Sequence, residues 1–82
     1  MDFVLEPRPG LLVGIETKAQ KHKLPRLSRS ARSFIKAYKP VQQLIFTRGR
    51  PFEEQMGKTL IRYLPAESVS EVLSSVTSTQ AP

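Results

Sequence analysis

The sequence predicts a small α/β domain, a mixed four-stranded sheet carrying two helices. Three observations lead there. Apolar residues alternate or run together in four short segments, 2–6, 11–17, 41–47 and 59–64, with proline or glycine at their ends. Between the second and third segments, Ala31, Phe34, Ile35 and Tyr38 recur at the spacing of one helix face. A helix joining two strands implies a parallel crossover, since strands so connected run the same way.

Asp2 to Glu6 alternates as a strand does, and Pro7-Arg8-Pro9-Gly10 ends it. Leu11 to Thr17 follows at once, aliphatic or β-branched at most positions, so the two segments predict a hairpin. Its one glycine, Gly14, marks a place where a neighbour can approach the backbone closely. Residues 18–27 are polar and basic with Pro25, and predict a loop. Ser28 or Ser30 can cap the helix that follows, and Pro40 stops it. Arg29, Arg32, Lys36 and Lys39 form a cationic stripe, expected roughly opposite the apolar one. Val41 to Thr47 predicts a central strand, because Leu44-Ile45-Phe46 is apolar on both faces. Phe52 to Lys58 is expected to be a loop, interrupted by Gly57, and Thr59 to Leu64 a fourth strand. A second helix starts after Pro65, with Val69, Val72 and Leu73 on one side. One domain is thus expected over 1–73. From Ser74 the composition turns to Ser, Thr, Gln, Ala and Pro, which predicts a disordered tail over 74–82.

Composition narrows the function classes. A chain of 82 residues buries about 60 to 65% of the surface its unfolded form exposes, so the core is small and homodimerisation would help it. With no cysteine there is neither a disulfide nor a thiolate metal site. No segment approaches the roughly 20 apolar residues of a membrane span, nor does the amino terminus read as a signal peptide. A cytoplasmic protein without a membrane partner is the expectation. The net charge of +6 is unevenly placed: ten of the basic residues and none of the seven acids lie between Thr17 and Phe52. Such a block attracts polyanions over a Debye length of about 8 to 10 Å, so nucleic acid is the first partner to expect. The candidate phosphate contacts are Lys21, Lys23, Arg26, Arg29, Arg32, Lys36, Arg48 and Arg50. Phe34, Tyr38 and Phe46 fit apolar patterns and read as core, and His22 as surface.

If residues 7–11 make a five-residue hairpin loop, opposite residues have numbers summing to 18: Leu5 faces Val13, Phe3 faces Ile15, and Asp2 faces Glu16. Phe3, Leu5, Val13 and Ile15 then share an apolar face, and Asp2, Val4, Gly14, Glu16 and Lys18 take the other. Two carboxylates so placed repel unless a cation lies between them, and Mg²⁺ prefers one or two carboxylates with waters and a substrate phosphate. Lys18, on the same face, is placed to position or deprotonate a metal-bound water that attacks a phosphodiester.

Asp2, thirteen intervening residues and Glu16-Thr17-Lys18 on an apolar strand resemble the core motif of the PD-(D/E)XK, or restriction-endonuclease-like, nuclease superfamily. More closely, Asp2 to Glu6, Gly14-Ile15-Glu16-Thr17-Lys18-Ala19, a basic loop and the helix of Ser30 to Pro40 are similar to the nuclease-like carboxy-terminal domain of a bacterial and archaeal family of AAA+ ATPases. The resemblance covers about residues 2 to 64. It implies Asp2 and Glu16 as Mg²⁺ ligands, Lys18 as catalytic lysine, and DNA, before RNA, as the polyanion. The superfamily's additional acidic residue, on a helix before the first strand, has no counterpart here, and there is no Walker-type nucleotide motif. The expectation is a restriction-endonuclease-like core lacking its first helix, with Mg²⁺-dependent DNA hydrolysis weakened or lost. Two alternatives stand beside it. One is a non-catalytic module that binds nucleic acid through its basic block, and the other a structural fragment that dimerises through an exposed strand edge.

Overall fold

The computed structural model describes residues 2–18, 27–48 and 50–78. Gly10, at φ 84° behind Pro9, turns the chain as a type II turn requires. On either side β1 (Phe3–Arg8) and β2 (Leu11–Thr17) pair antiparallel, Phe3 opposite Ile15 and Leu5 opposite Val13, in the register the alternation predicts. The loop is shorter than expected. Arg8 still pairs with Leu11, so the hairpin closes on Pro9 and Gly10, and the register shifts between Leu5 and Arg8. Pro7 lies inside that irregularity, where a missing N–H costs the ladder nothing.

α1 (Arg29–Tyr38) follows, its N-cap Ser28 accepting the Ala31 N–H at 3.0 Å. β3 (Gln42–Thr47) lies parallel to β2, which establishes the predicted crossover. The sheet has five strands, not four. Phe52–Met56, expected to be a loop, is β4, paired antiparallel with β5 (Thr59–Pro65). Gly57, the residue that argued against structure there, is the hairpin turn itself. At φ 59° it takes the first position of a two-residue turn with Lys58, which favours glycine. β5 lies parallel to β3, giving the order β1-β2-β3-β5-β4 with β3 at the centre.

A single 3₁₀ turn (Ala66–Ser68) leads into α2 (Val69–Ser78). This helix overruns the point at which the tail was expected to begin. Val76 extends the stripe of Val69, Val72 and Leu73 by the spacing i, i+3, i+4, i+7, and is buried, so packing outweighs the polar composition after Ser74. Residues 79–82 of that tail lie outside the described residues.

The helices cover opposite faces of the sheet. α2 packs on Val13, Ile15, Leu44 and Phe46, with Leu5 and Leu64 at the margin. α1 contributes Ile35 to a second cluster with Ile45, Ile61 and Tyr63, flanked by Leu27 and Met56. Both sheet faces are therefore interior, and the face assigned to solvent, carrying Gly14 and Glu16, lies under α1.

Two expectations for α1 are corrected. Tyr38 is 63% exposed rather than core, stacked on Phe34 with ring centroids 5.2 Å apart. Only Ala31 and Ile35 of the helix are buried. The cationic stripe is not opposite the apolar one but beside it. Arg32 lies three residues before Ile35 and Lys39 four after it, so both must flank Ile35 on the helix surface.

Candidate functional site

The chemistry-bearing residues gather in two places, one at each end of α1. The first is the carboxyl end of the parallel pair β2 and β3, the end of an open α/β sheet where ligand crevices form. There the ladder continues past Thr17, as the Lys18 N–H donates to the Phe46 carbonyl at 2.8 Å. Glu16 projects beneath the start of α1 and is only 6% exposed. Its Oε1 accepts the Ser28 hydroxyl at 2.8 Å and the Ser30 hydroxyl at 3.3 Å. Ser28 thereby joins two elements, capping α1 with its oxygen while donating its proton to β2. A carboxylate here also lies at the positive end of the helix dipole.

Asp2 has different partners. One oxygen, Oδ2, accepts both the Thr17 backbone N–H at 2.9 Å and the Thr17 hydroxyl at 2.8 Å. The hydroxyl first, and the backbone N–H second, hold the Asp2 carboxyl below its usual range. Successive strand side chains point to opposite faces, so Thr17 belongs to the α2 side and Glu16 to the α1 side. The two acids are thus held by separate sets of hydroxyl and amide donors, Asp2 through Oδ2 and Glu16 through Oε1. To share a Mg²⁺ ion with its waters, Asp2 and Glu16 would have to turn oxygens to one point while held by these separate donors. Among the described residues no group of three or more acidic, histidine or cysteine side chains is arranged to hold a metal ion.

The second place is the flank of α1 that faces the β4–β5 turn. Arg29, Arg32 and Lys36, all expected as phosphate contacts, are exposed along α1. Arg32 and Lys36 join Ile35, Lys39, Met56, Gly57, Lys58 and Thr59 around a groove of about 510 Å³. Lys39 stands in the left-handed conformation, φ 49° and ψ 57°, its N–H closing α1 on the Ile35 carbonyl at 2.9 Å. Arg48 and Arg50 are exposed beyond β3, away from this groove's lining. Lys21, Lys23 and Arg26 lie outside the described residues. Sequence reasoning did not single out Lys58 or Met56, because it took their segment for a loop. The i−3 and i+4 offsets of Arg32 and Lys39 from Ile35 carried the signal for the other wall.

Other expectations for single residues stand more simply. Phe46 is core, at the centre of the α2 face. Gly14 does mark a close approach: a Cβ there would meet the Gln43 side-chain oxygen and lie 2.9 Å from the Phe34 ring. Tyr63, packed against Phe52 at 6.0 Å, has its hydroxyl pushed up by burial, then by Glu54. No helix among the described residues is long and apolar enough to cross a membrane. The chain matches no protein-family model, no curated protein and no solved structure.

Proposed function

We propose that this chain is a basic, nuclease-like α/β domain that binds nucleic acid, DNA before RNA, through its phosphates. The observation that carries the reading is the exposed flank of α1, where Arg29, Arg32, Lys36 and Lys39 stand in one row with no acid between Thr17 and Phe52 in the sequence. Four cations along one helix suit a polyanion with regularly spaced charges, and counterion release then dominates the affinity. Binding measured by fluorescence anisotropy should weaken with added salt, at a slope of about −3 to −4 in log K against log salt for duplex DNA. Arg32→Ala should flatten that slope by about 1. Binding indifferent to salt would remove nucleic acid from consideration.

A second reading adds Mg²⁺-dependent hydrolysis at Asp2, Glu16 and Lys18. What favours it is position: all three lie together at the carboxyl end of β2, where a metal-activated water would meet a phosphate. Asp2 and Glu16 would hold the ion and Lys18 would orient or deprotonate the water. What weighs against it is that both carboxylates already accept hydroxyl donors. We therefore favour binding without turnover. Cleavage of DNA with Mg²⁺ or Mn²⁺, lost in both Glu16→Ala and Lys18→Ala while their melting temperatures hold, would reverse that preference.

A further inference from the structure

The groove between α1 and the β4–β5 turn is apolar inside and cationic at its mouth. Ile35 and Met56 line it with the alkyl stems of Arg32, Lys36, Lys39 and Lys58, whose charged heads reach water. None of those four cations is in an ion pair among the described residues. Its other polar groups are already used. The Thr59 hydroxyl donates to the Pro40 carbonyl at 2.5 Å, and the Gly57 carbonyl accepts the Gln55 amide at 3.0 Å. At about 510 Å³ the groove falls in the range of small-molecule and cofactor sites.

A ligand for such a place must be apolar and flat where it enters, and carry several anionic charges around that part. A single-headed amphiphile compensates one cation and leaves three repelling one another. A duplex brings phosphates but keeps its bases stacked, so nothing enters the groove. A single strand supplies both, an aromatic base to bury and phosphates on either side of it. The groove's own chemistry suits a base face: the Arg32 guanidinium offers a cation–π contact and the Met56 thioether a sulfur–aromatic one. We propose that this groove takes an unpaired base of a single-stranded nucleic acid, with the neighbouring phosphates on Arg32, Lys36, Lys39 and Lys58. The proposal rests on the phosphate-binding reading above and names its substrate class. With its four cations engaged by phosphates, the groove holds a base by its face rather than its edge, so recognition by the groove is largely indifferent to sequence.

The test uses the full chain and three labelled oligodeoxynucleotides of one length: a single strand, the same strand with consecutive abasic positions, and the duplex. The single strand should bind about tenfold more tightly than the abasic strand. Met56→Ala should narrow that gap by weakening the intact strand alone, whereas Lys58→Ala, at an exposed turn, should weaken intact and abasic strands alike. Equal affinity for all three oligonucleotides, with steep salt dependence, would overturn the groove and leave phosphate binding standing. Binding of none would overturn both. An acidic, leucine-containing peptide that binds more tightly than the single strand, and weakens in Met56→Ala, would assign the groove to a protein partner instead.

Discussion

Lys39 offers a measurement in which stability and binding respond to different parts of one residue. It closes α1 in the left-handed region, φ 49° and ψ 57°, where a side chain costs about 1–2 kcal/mol and glycine is the usual occupant. Replacing it with alanine or with glycine removes the same charge, so both variants lose the same attraction to the negative end of α1, about 0.3–1 kcal/mol. They differ only in backbone. Glycine relieves the left-handed cost but gains unfolded freedom worth roughly 0.4–1 kcal/mol, so Lys39→Gly should be the more stable of the two by roughly 0.5–1 kcal/mol. For a chain of this length that is a melting temperature higher by roughly 2–8 °C, readable by calorimetry or by circular dichroism. Binding should not separate them. Each should lose one phosphate contact, flattening the salt dependence for nucleic acid by about 1. Two variants that melt together would show that the left-handed cap is not the conformation in solution. Unchanged salt dependence in both would remove Lys39 from the binding surface.

Two further perturbations test the sheet and the acidic end. Gly14→Ala should cost about 1–3 kcal/mol by overpacking, since its Cβ would press on the fully buried Gln43 side chain and on Phe34; denaturant unfolding at wild-type midpoint would refute that close approach. Asp2, whose carboxyl the Thr17 hydroxyl and then the Thr17 N–H hold below the usual 3.8, stabilises the fold at pH above that value. The contribution is lost as pH falls through the lowered one. Thr17→Val keeps the N–H and deletes the hydroxyl, so the Asp2 titration followed by NMR should move upward toward 3.8; an unmoved midpoint would mean that the contact does not persist.

Where burial dictates residue type, the fold is legible. The alternation of Phe3, Leu5, Val13 and Ile15 sets the β1–β2 register, because a slip of one residue would move the apolar set to the other face. Leu44-Ile45-Phe46 announces the central strand for the same reason, being covered on both sides. β4 is hidden because an edge strand escapes that rule. Glu53 and Gln55 point to one face and Phe52, Glu54 and Met56 to the other, none of them buried, so the segment reads as polar. Its strand character comes from pairing with β5, including the Arg62–Glu53 ion pair at 3.0 Å, which the segment alone does not announce. Tyr38 misleads in the opposite direction. It keeps the helical spacing of a core residue but ends α1, and its ring rests on Phe34 instead of the sheet.

The candidate site was legible as composition and illegible as arrangement. Alternation correctly separates Glu16 from Ile15, but it cannot say that the second face is also roofed, and the roof changes the meaning of the carboxylate. An exposed Glu16 beside Asp2 asks for a cation; a buried Glu16 whose Oε1 accepts the Ser28 and Ser30 hydroxyls is tied to the start of α1. The basic block gains meaning in the same way. Once α1 is laid on the sheet, its cations form one wall of a groove whose other wall, Met56 to Thr59, belongs to a strand pair distant in sequence. α1 has 10 residues and so spans roughly 15 Å, which separates the groove near its carboxyl end from Glu16 at its amino end. Arg29 lies between them in this row, next to Ser28. A strand held in the groove and running toward Arg29 would present its next phosphates at the Glu16 end. On the proposed reading, binding and hydrolysis would be successive demands on one bound strand, and only the second would call on Asp2 and Glu16, which Thr17, Ser28 and Ser30 hold in place.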